Sequence, residues 1–261
     1  MYILELTFEC YRDTSLGEAE RAIVHYLDML RYQGQILGRE FPTSMHEGYF
    51  VSRVVCPEQD SLHPDNQSEL VTLAEQGLHQ AGLLAPKLHL QGADLLSDST
   101  DPCAEQGERP SWMLLYTSFL HSCSPLRCGD HFAPIPLYRL PAVANGDHKQ
   151  IIKWQEDWEA CDQLQMNGSI AEHAALHEIG EVGSRLHRRG SDLARRLEVL
   201  SGIPTYYYLY RVGGLSATEE RARPCPGCGG PWALAAPLHE IFDFRCEPCR
   251  LVSNLSWDFK E

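Results

Sequence analysis

The residues with the clearest chemistry lie near the C-terminus. Cys225 and Cys228 are separated by two residues, Cys246 and Cys249 by two more, and seventeen residues lie between the pairs. This spacing is that of a four-thiolate zinc site. Two intervening residues let a tight turn present both sulfurs to one ion, and Gly227, Gly229 and Gly230 supply the backbone freedom such a turn needs. Four thiolates fill a tetrahedral ion and leave no position for water, so the pattern predicts one structural Zn2+, with iron in the same sulfur cage as the competing reading. A unit of about 40 residues has little core of its own, and the metal would supply the missing stability.

Three further constellations invite chemistry. Cys123, Cys128 and His131, with His121 nearby, form a candidate second metal site, although their spacing fits no standard zinc pattern. His173 and His177 stand one helical turn apart, but the Glu178-Ile-Gly-Glu that follows does not make the zinc-protease signature. Arg185, Arg188, Arg189 and Arg196 fall on one helical face, Tyr206, Tyr208 and Tyr210 on one face of the strand that follows, and Arg245 and Arg250 flank the second cysteine pair. Arginines beside aromatic rings are what a single-stranded nucleic-acid surface uses. The plainer reading makes Glu181 to Arg185 and Asp192 to Arg196 ordinary i,i+4 pairs and packs the tyrosines away. Trp232, Phe242 and Phe244 read first as the miniature core of the tail. No phosphate-binding loop, nucleophile elbow or dinucleotide fingerprint occurs, so no catalytic residue is assigned.

These candidates sit on an acidic chain of 261 residues with formal net charge -14. Residues 1–184 hold 11 Lys+Arg against 27 Asp+Glu, net -16; residues 185–211 hold 6 against 2, net +4; residues 221–261 hold 5 against 5, net zero. An acidic body repels nucleic acid and anionic membrane at long range, so a polyanion would be met by the basic stretch. Residues 1–13 lack the basic start and apolar run of a secretory signal, and no stretch approaches the roughly 18 apolar residues of a membrane span. Cytoplasmic location follows as the expectation, and there ten cysteines stay reduced and paired CxxC motifs mean metal.

Elements that could position these groups follow from periodicity. Residues 2–9 alternate as a strand, and Ala19, Ile23, Tyr26, Leu27 and Leu30 recur at helical spacing. Strands are expected at 48–55, 87–90 and 112–119, and a helix at 68–84. Residues 97–111 form a polar loop, and prolines at 125, 134, 136 and 141 bar a continuous helix or central strand from 124–147. Ile151, Trp154, Trp158, Cys161 and Leu164 mark a helix; Ser169 with Glu172 reads as a capping box for the next; a leucine rhythm carries a third to Gly202. Residues 205–211 are a strand by composition, and 241–245 and 251–257 are the strands of the tail. The expected organisation is an α+β body over 1–212, of ferredoxin-like or related arrangement, with a helical segment, a linker at 213–224 and a small β zinc ribbon at 225–261.

The stretches SPLRCGDHFAPIPLYRLP, SGIPTYYYLYR, CPGCGGPW and FDFRCEPCRLVSNLSWDF together resemble a family of bacterial proteins of unknown function, described as zinc-ribbon-containing with nucleic-acid binding as a suggested role. The resemblance runs from mid-chain to the end and implies zinc at Cys225, Cys228, Cys246 and Cys249. The function it favours is nucleic-acid binding through the basic segment and the ribbon; the alternative is a protein-interaction module with a purely structural zinc.

Overall fold

The computed structural model describes residues 1–103, 106–120 and 122–259. The chain forms two compact units: one of Met1–Thr100, Ser122–Ser124 and Ala133–Lys149, the other of Asp101–His121, Pro125–Phe132 and Gln150–Glu261.

The first unit is built from β1 (Tyr2–Glu9), α1 (Leu16–Gln33), β2 (Thr43–His46), β3 (Tyr49–Cys56), α2 (Glu69–Gln80) and β4 (Lys87–Ala93). The strands lie in the order β2-β3-β1-β4, all pairings antiparallel. In β1 the alternation puts Leu4, Leu6 and Phe8 on one buried face, and the helical spacing of α1 brings Ala19, Ile23, Tyr26, Leu27 and Leu30 into the same core. A capping box opens α1, with the Ser15 side chain accepting from the Glu18 N–H and the Glu18 side chain answering the Ser15 backbone. Gly34, left-handed at φ 81°, closes it.

The second unit contains β5 (Met113–Leu115), β6 (Leu126–Cys128), most of α3 (Lys149–Asn167), α4 (Glu172–Gly180), α5 (Arg185–Ser201), β7 (Thr205–Leu209), α6 (Ala217–Ala222), β8 (Ala233–Leu238), β9 (Phe242–Cys246) and β10 (Leu251–Ser253). Its six-stranded sheet runs β6-β5-β7-β10-β9-β8. The cysteine-bearing strands are not set apart from the rest: β10 pairs in parallel with β7, which pairs in parallel with β5. A strand so placed is covered on both faces, and every residue of β7 is buried. Trp154 and Trp158 of α3 meet Tyr207 and Tyr208, with ring centroids 5.8 and 5.9 Å apart.

Several elements differ from the sequence reading for local reasons. Glu172 is the first residue of α4, whose N-cap is Ala171 at φ 55°, so Ser169 and Glu172 do not form a capping box; that box needs the glutamate at the third helical position. The strand expected at 112–119 stops at Leu115, after which Phe119 turns its N–H to the Asp162 carboxylate at 3.0 Å. Residues 213–224 include α6, whose buried Glu220 accepts from the Arg211 Nε at 3.0 Å and forms an ion pair with Arg223 at 3.2 Å. No helix among the described residues is long and apolar enough to cross a membrane.

Candidate metal centres

The hairpin β8–β9 and the strand β10 bring the four tail cysteines together. Ligand atoms of Cys225, Cys228, Cys246 and Cys249 all lie within 4.8 Å of one another, and the Cys228 and Cys246 sulfurs are 3.6 Å apart. For a tetrahedral zinc with Zn–S of about 2.3 Å the sulfur–sulfur edge is about 3.8 Å. The first knuckle is closed by the Cys225 N–H to the Gly230 carbonyl and the Gly229 N–H to the Cys225 carbonyl, both 2.8 Å, while the Gly227 N–H points at the Cys225 sulfur at 3.4 Å. Gly229 is left-handed at φ 73°, and a Cβ on Gly227 would lie 2.8 Å from the Cys249 sulfur. Glycine at 227 is therefore what lets the second knuckle approach the first.

The thiols ionise unequally. The Gly230 backbone N–H, helped by the neighbouring thiols, brings Cys228 down to about 7, whereas burial raises Cys246 to about 11 and pushes Cys249 up as well. A metal entering here must displace protons from these thiols, so its affinity falls as the pH is lowered. Trp232, Phe242 and Phe244 are buried, Trp232 against Phe244 at 4.9 Å.

A second group of ligand-type side chains is assembled by β5 and β6. Asp101, Cys103, Cys128 and His131 place their ligand atoms within 4.8 Å of one another. Of the sequence candidates, Cys128 and His131 are in this group and Cys123 is not; the missing partners are Asp101 and Cys103, from the loop that precedes β5. His121 lies outside the described residues. Cys128 ends β6 opposite Met113 of β5, and the Phe132 N–H returns to the Cys128 carbonyl at 2.8 Å, closing the turn that carries His131. Ser111 holds Asp130 in the same turn, its N–H on Oδ2 at 2.6 Å. Burial raises Cys128 to about 12 against the pull of the His131 and Asp130 backbone N–H groups, and burial raises Cys103 too.

The basic candidates divide into two sets. Arg245 lies over the rings of Tyr206 and Trp112 at 4.4 and 4.6 Å and pairs with Glu247 at 2.8 Å; Arg250 pairs with Glu198 at 2.9 Å and Glu247 at 3.2 Å. Tyr206 and Tyr208 are buried, Tyr206 bonded to Glu247 and Tyr208 to Asn254 at 3.0 Å. These tyrosines offer no open face for a base, because a central strand leaves none. On α5, Arg189 pairs with Asp157 at 2.5 Å and Arg196 with Asp192 at 2.9 Å. Arg185, Arg188 and Arg195 are exposed, and no ion-pair partner for them occurs among the described residues. His177 is engaged by Glu181 at 2.8 Å, and neither His173 nor His177 belongs to a metal-ligand group among the described residues.

Three families, each described as a domain of unknown function, match successive stretches: DUF8589 at residues 1–92, DUF2310 at 107–210 and DUF8594 at 214–259, the last spanning the four tail cysteines. A solved Deinococcus radiodurans structure carrying an antibiotic biosynthesis monooxygenase name overlaps 36% of this chain and 93% of its own at 17% identity, with a TM-score of 0.27, too low to carry an argument. An uncharacterized protein of Haemophilus influenzae is 45% identical over 99% of this chain and 100% of its own length, and a second from the same organism is 48% identical over 69% of this chain and 87% of its own. By that full-length identity the chain belongs to the family of these uncharacterized Haemophilus influenzae proteins, a bacterial family of unknown function.

Proposed function

We propose that this protein is a cytoplasmic zinc-binding protein in which Cys225, Cys228, Cys246 and Cys249 hold one structural zinc, and that it binds an anionic partner, a nucleic-acid backbone, through the basic face of α5. The observation that carries the zinc reading is the convergence of four sulfurs within 4.8 Å, with Gly227 of the first knuckle leaving no room for a Cβ beside the Cys249 sulfur. With all four positions taken by thiolates the metal has no place for water and acts as a clamp on the β8–β10 end of the sheet. The first unit, with its βαββαβ connectivity, we read as a ferredoxin-like body.

Arg185, Arg188 and Arg195 support the phosphate reading, since a helix face that keeps three guanidinium groups clear of carboxylates is available to a polyanion. The buried tyrosines argue for contacts to phosphate rather than to bases, hence for weak sequence preference. A protein partner with an acidic patch is the second reading; the internal pairing of Arg245 and Arg250 favours it by keeping the cysteine knuckles out of any nucleic-acid footprint. The test is the salt dependence of binding to a fluorescent single-stranded oligonucleotide. Phosphate contacts predict steep weakening with salt and a log-log slope shallower by about 1.4 in Arg188→Ala/Arg195→Ala, about 0.7 per lost contact to a single strand. No measurable binding at low salt would remove the nucleic-acid reading and leave the protein partner.

A further inference from the structure

We infer that Asp101, Cys103, Cys128 and His131 form a second metal site, distinct from the tail cysteines and suited to zinc. The distances within the group are those of an occupied tetrahedron. Zinc at about 2.3 Å from sulfur and 2.0–2.2 Å from nitrogen and oxygen sets edges of about 3.8 Å between two sulfurs, about 3.5 Å from sulfur to nitrogen and about 3.3 Å from nitrogen to oxygen. The observed Cys103–Cys128 sulfur separation is 3.8 Å, each sulfur is 3.5 Å from His131 Nδ1, and His131 Nδ1 is 3.2 Å from Asp101 Oδ1. A plain thiol–imidazole contact has no reason to repeat the same length twice around one nitrogen.

Charge points the same way. Asp101, Cys103 and Cys128 are 5%, 2% and 0% exposed, and the one basic group among the four is an imidazole. Three groups that are anionic in their ligand form, gathered in a buried place, call for a cation. His131 is partly open, its side chain 41% exposed, which gives an ion a way in.

The scaffold is rigid where a metal site requires it. The Gly129 N–H donates to the Trp112 carbonyl at 2.8 Å, and a Cβ on Gly129 would fall 2.1 Å from the Trp112 ring. The turn that holds Cys128 and His131 is thus pressed against the indole and tied to the backbone of the residue that leads into β5. Two thiolates with one imidazole select a borderline ion such as Zn2+ over Mg2+ or Ca2+, and the carboxylate completes four-coordination.

Zinc per chain, measured by elemental analysis, tests this on the full-length protein. Two equivalents are expected in the wild type, one in Cys103→Ser/Cys128→Ser and one in Cys225→Ser/Cys246→Ser. Zinc X-ray absorption of the wild type needs no variant to fold: two loaded sites average about three sulfurs and one nitrogen or oxygen per zinc, whereas the tail alone gives four sulfurs. A single zinc that is kept when Cys103 and Cys128 are replaced, or an all-sulfur shell, overturns the inference, as does a wild type whose Cys103 and Cys128 are joined in a disulfide. A single zinc lost with Cys103 and Cys128 but kept without Cys225 and Cys246 upholds it and removes the tail reading instead.

Discussion

Gly190 and Gly77 should respond to the same substitution with opposite signs. Both are interior to helices, α5 and α2, and in an open helix Gly→Ala stabilises by about 0.5–1 kcal/mol through helix propensity and a less free unfolded chain. Around Gly77 nothing among the described residues lies within 4 Å of an added Cβ, so Gly77→Ala should realise that gain. At Gly190 the Cβ would stand 2.2 Å from Tyr207 Cε2 and 2.7 Å from Trp154 Nε1. Neither ring can step aside cheaply. Tyr207 is fully buried on a strand paired on both sides, and the Trp154 indole is bonded to the Leu186 carbonyl at 3.2 Å. Overpacking of this kind costs about 1–3 kcal/mol and here exceeds the propensity gain, so Gly190→Ala should lose about 1–2 kcal/mol. Denaturant unfolding of both variants, followed by tryptophan fluorescence, reads the difference directly. A Gly190→Ala chain as stable as Gly77→Ala would refute the close packing of α5 on β7.

Other expectations concern acid, metal and the first knuckle. His148 is buried. Burial lowers it to about 4, against the opposing pull of the Leu140 backbone. Because the folded value lies below the unfolded value of about 6.5, the unfolded chain takes the proton first; stability from the neutral ring is complete above about 6.5 and is lost as pH falls towards 4. Between pH 7 and 4.5 His148→Gln should therefore lose about 2–3 kcal/mol less stability than the wild type, as read from urea midpoints; equal losses would contradict the burial of an uncharged ring. Gly227→Ala, whose Cβ would meet the Cys249 sulfur at 2.8 Å, should release zinc to a chromogenic chelator faster than the wild type, while Gly77→Ala, far along the chain from any cysteine and with nothing among the described residues within 4 Å, should not. Chelation of the wild type should raise hydrogen exchange at β8–β10 before β1 or β3, since only the former strands are tied by the tail cysteines. Uniform exchange would argue against a local clamp.

What the sequence made legible follows the strength of local pattern. Alternation in β1 and the helical recurrence in α1 are dictated by one buried face each, and both formed where the pattern placed them. The four tail cysteines were readable because C-x2-C is a local geometry, complete within one turn. Tyr206 and Tyr208 show the converse. Composition marks a strand there, but only the parallel partners β5 and β10, distant in sequence, determine that both faces are covered. The β10 pairing also joins the tail to the sheet, which no feature of 225–261 announces. Asp101 and Cys103 are not legible in the sequence because they stand in a polar loop without period, 25 or more residues before the knuckle they face; Cys123 is close to that knuckle in sequence, which is not closeness in space. The strand β8 carries no strand signal in its exposed, alanine-rich composition, and Pro237 is tolerated because β8 lies at the sheet edge.

Whether Cys225, Cys228, Cys246 and Cys249 hold a zinc is read most directly by native mass spectrometry of the full-length chain beside Cys225→Ser/Cys246→Ser. The double substitution should remove one zinc from each chain and leave any other metal in place. An unchanged zinc mass, or a wild-type chain purified from zinc-replete cells with no metal at the tail, would contradict the zinc site.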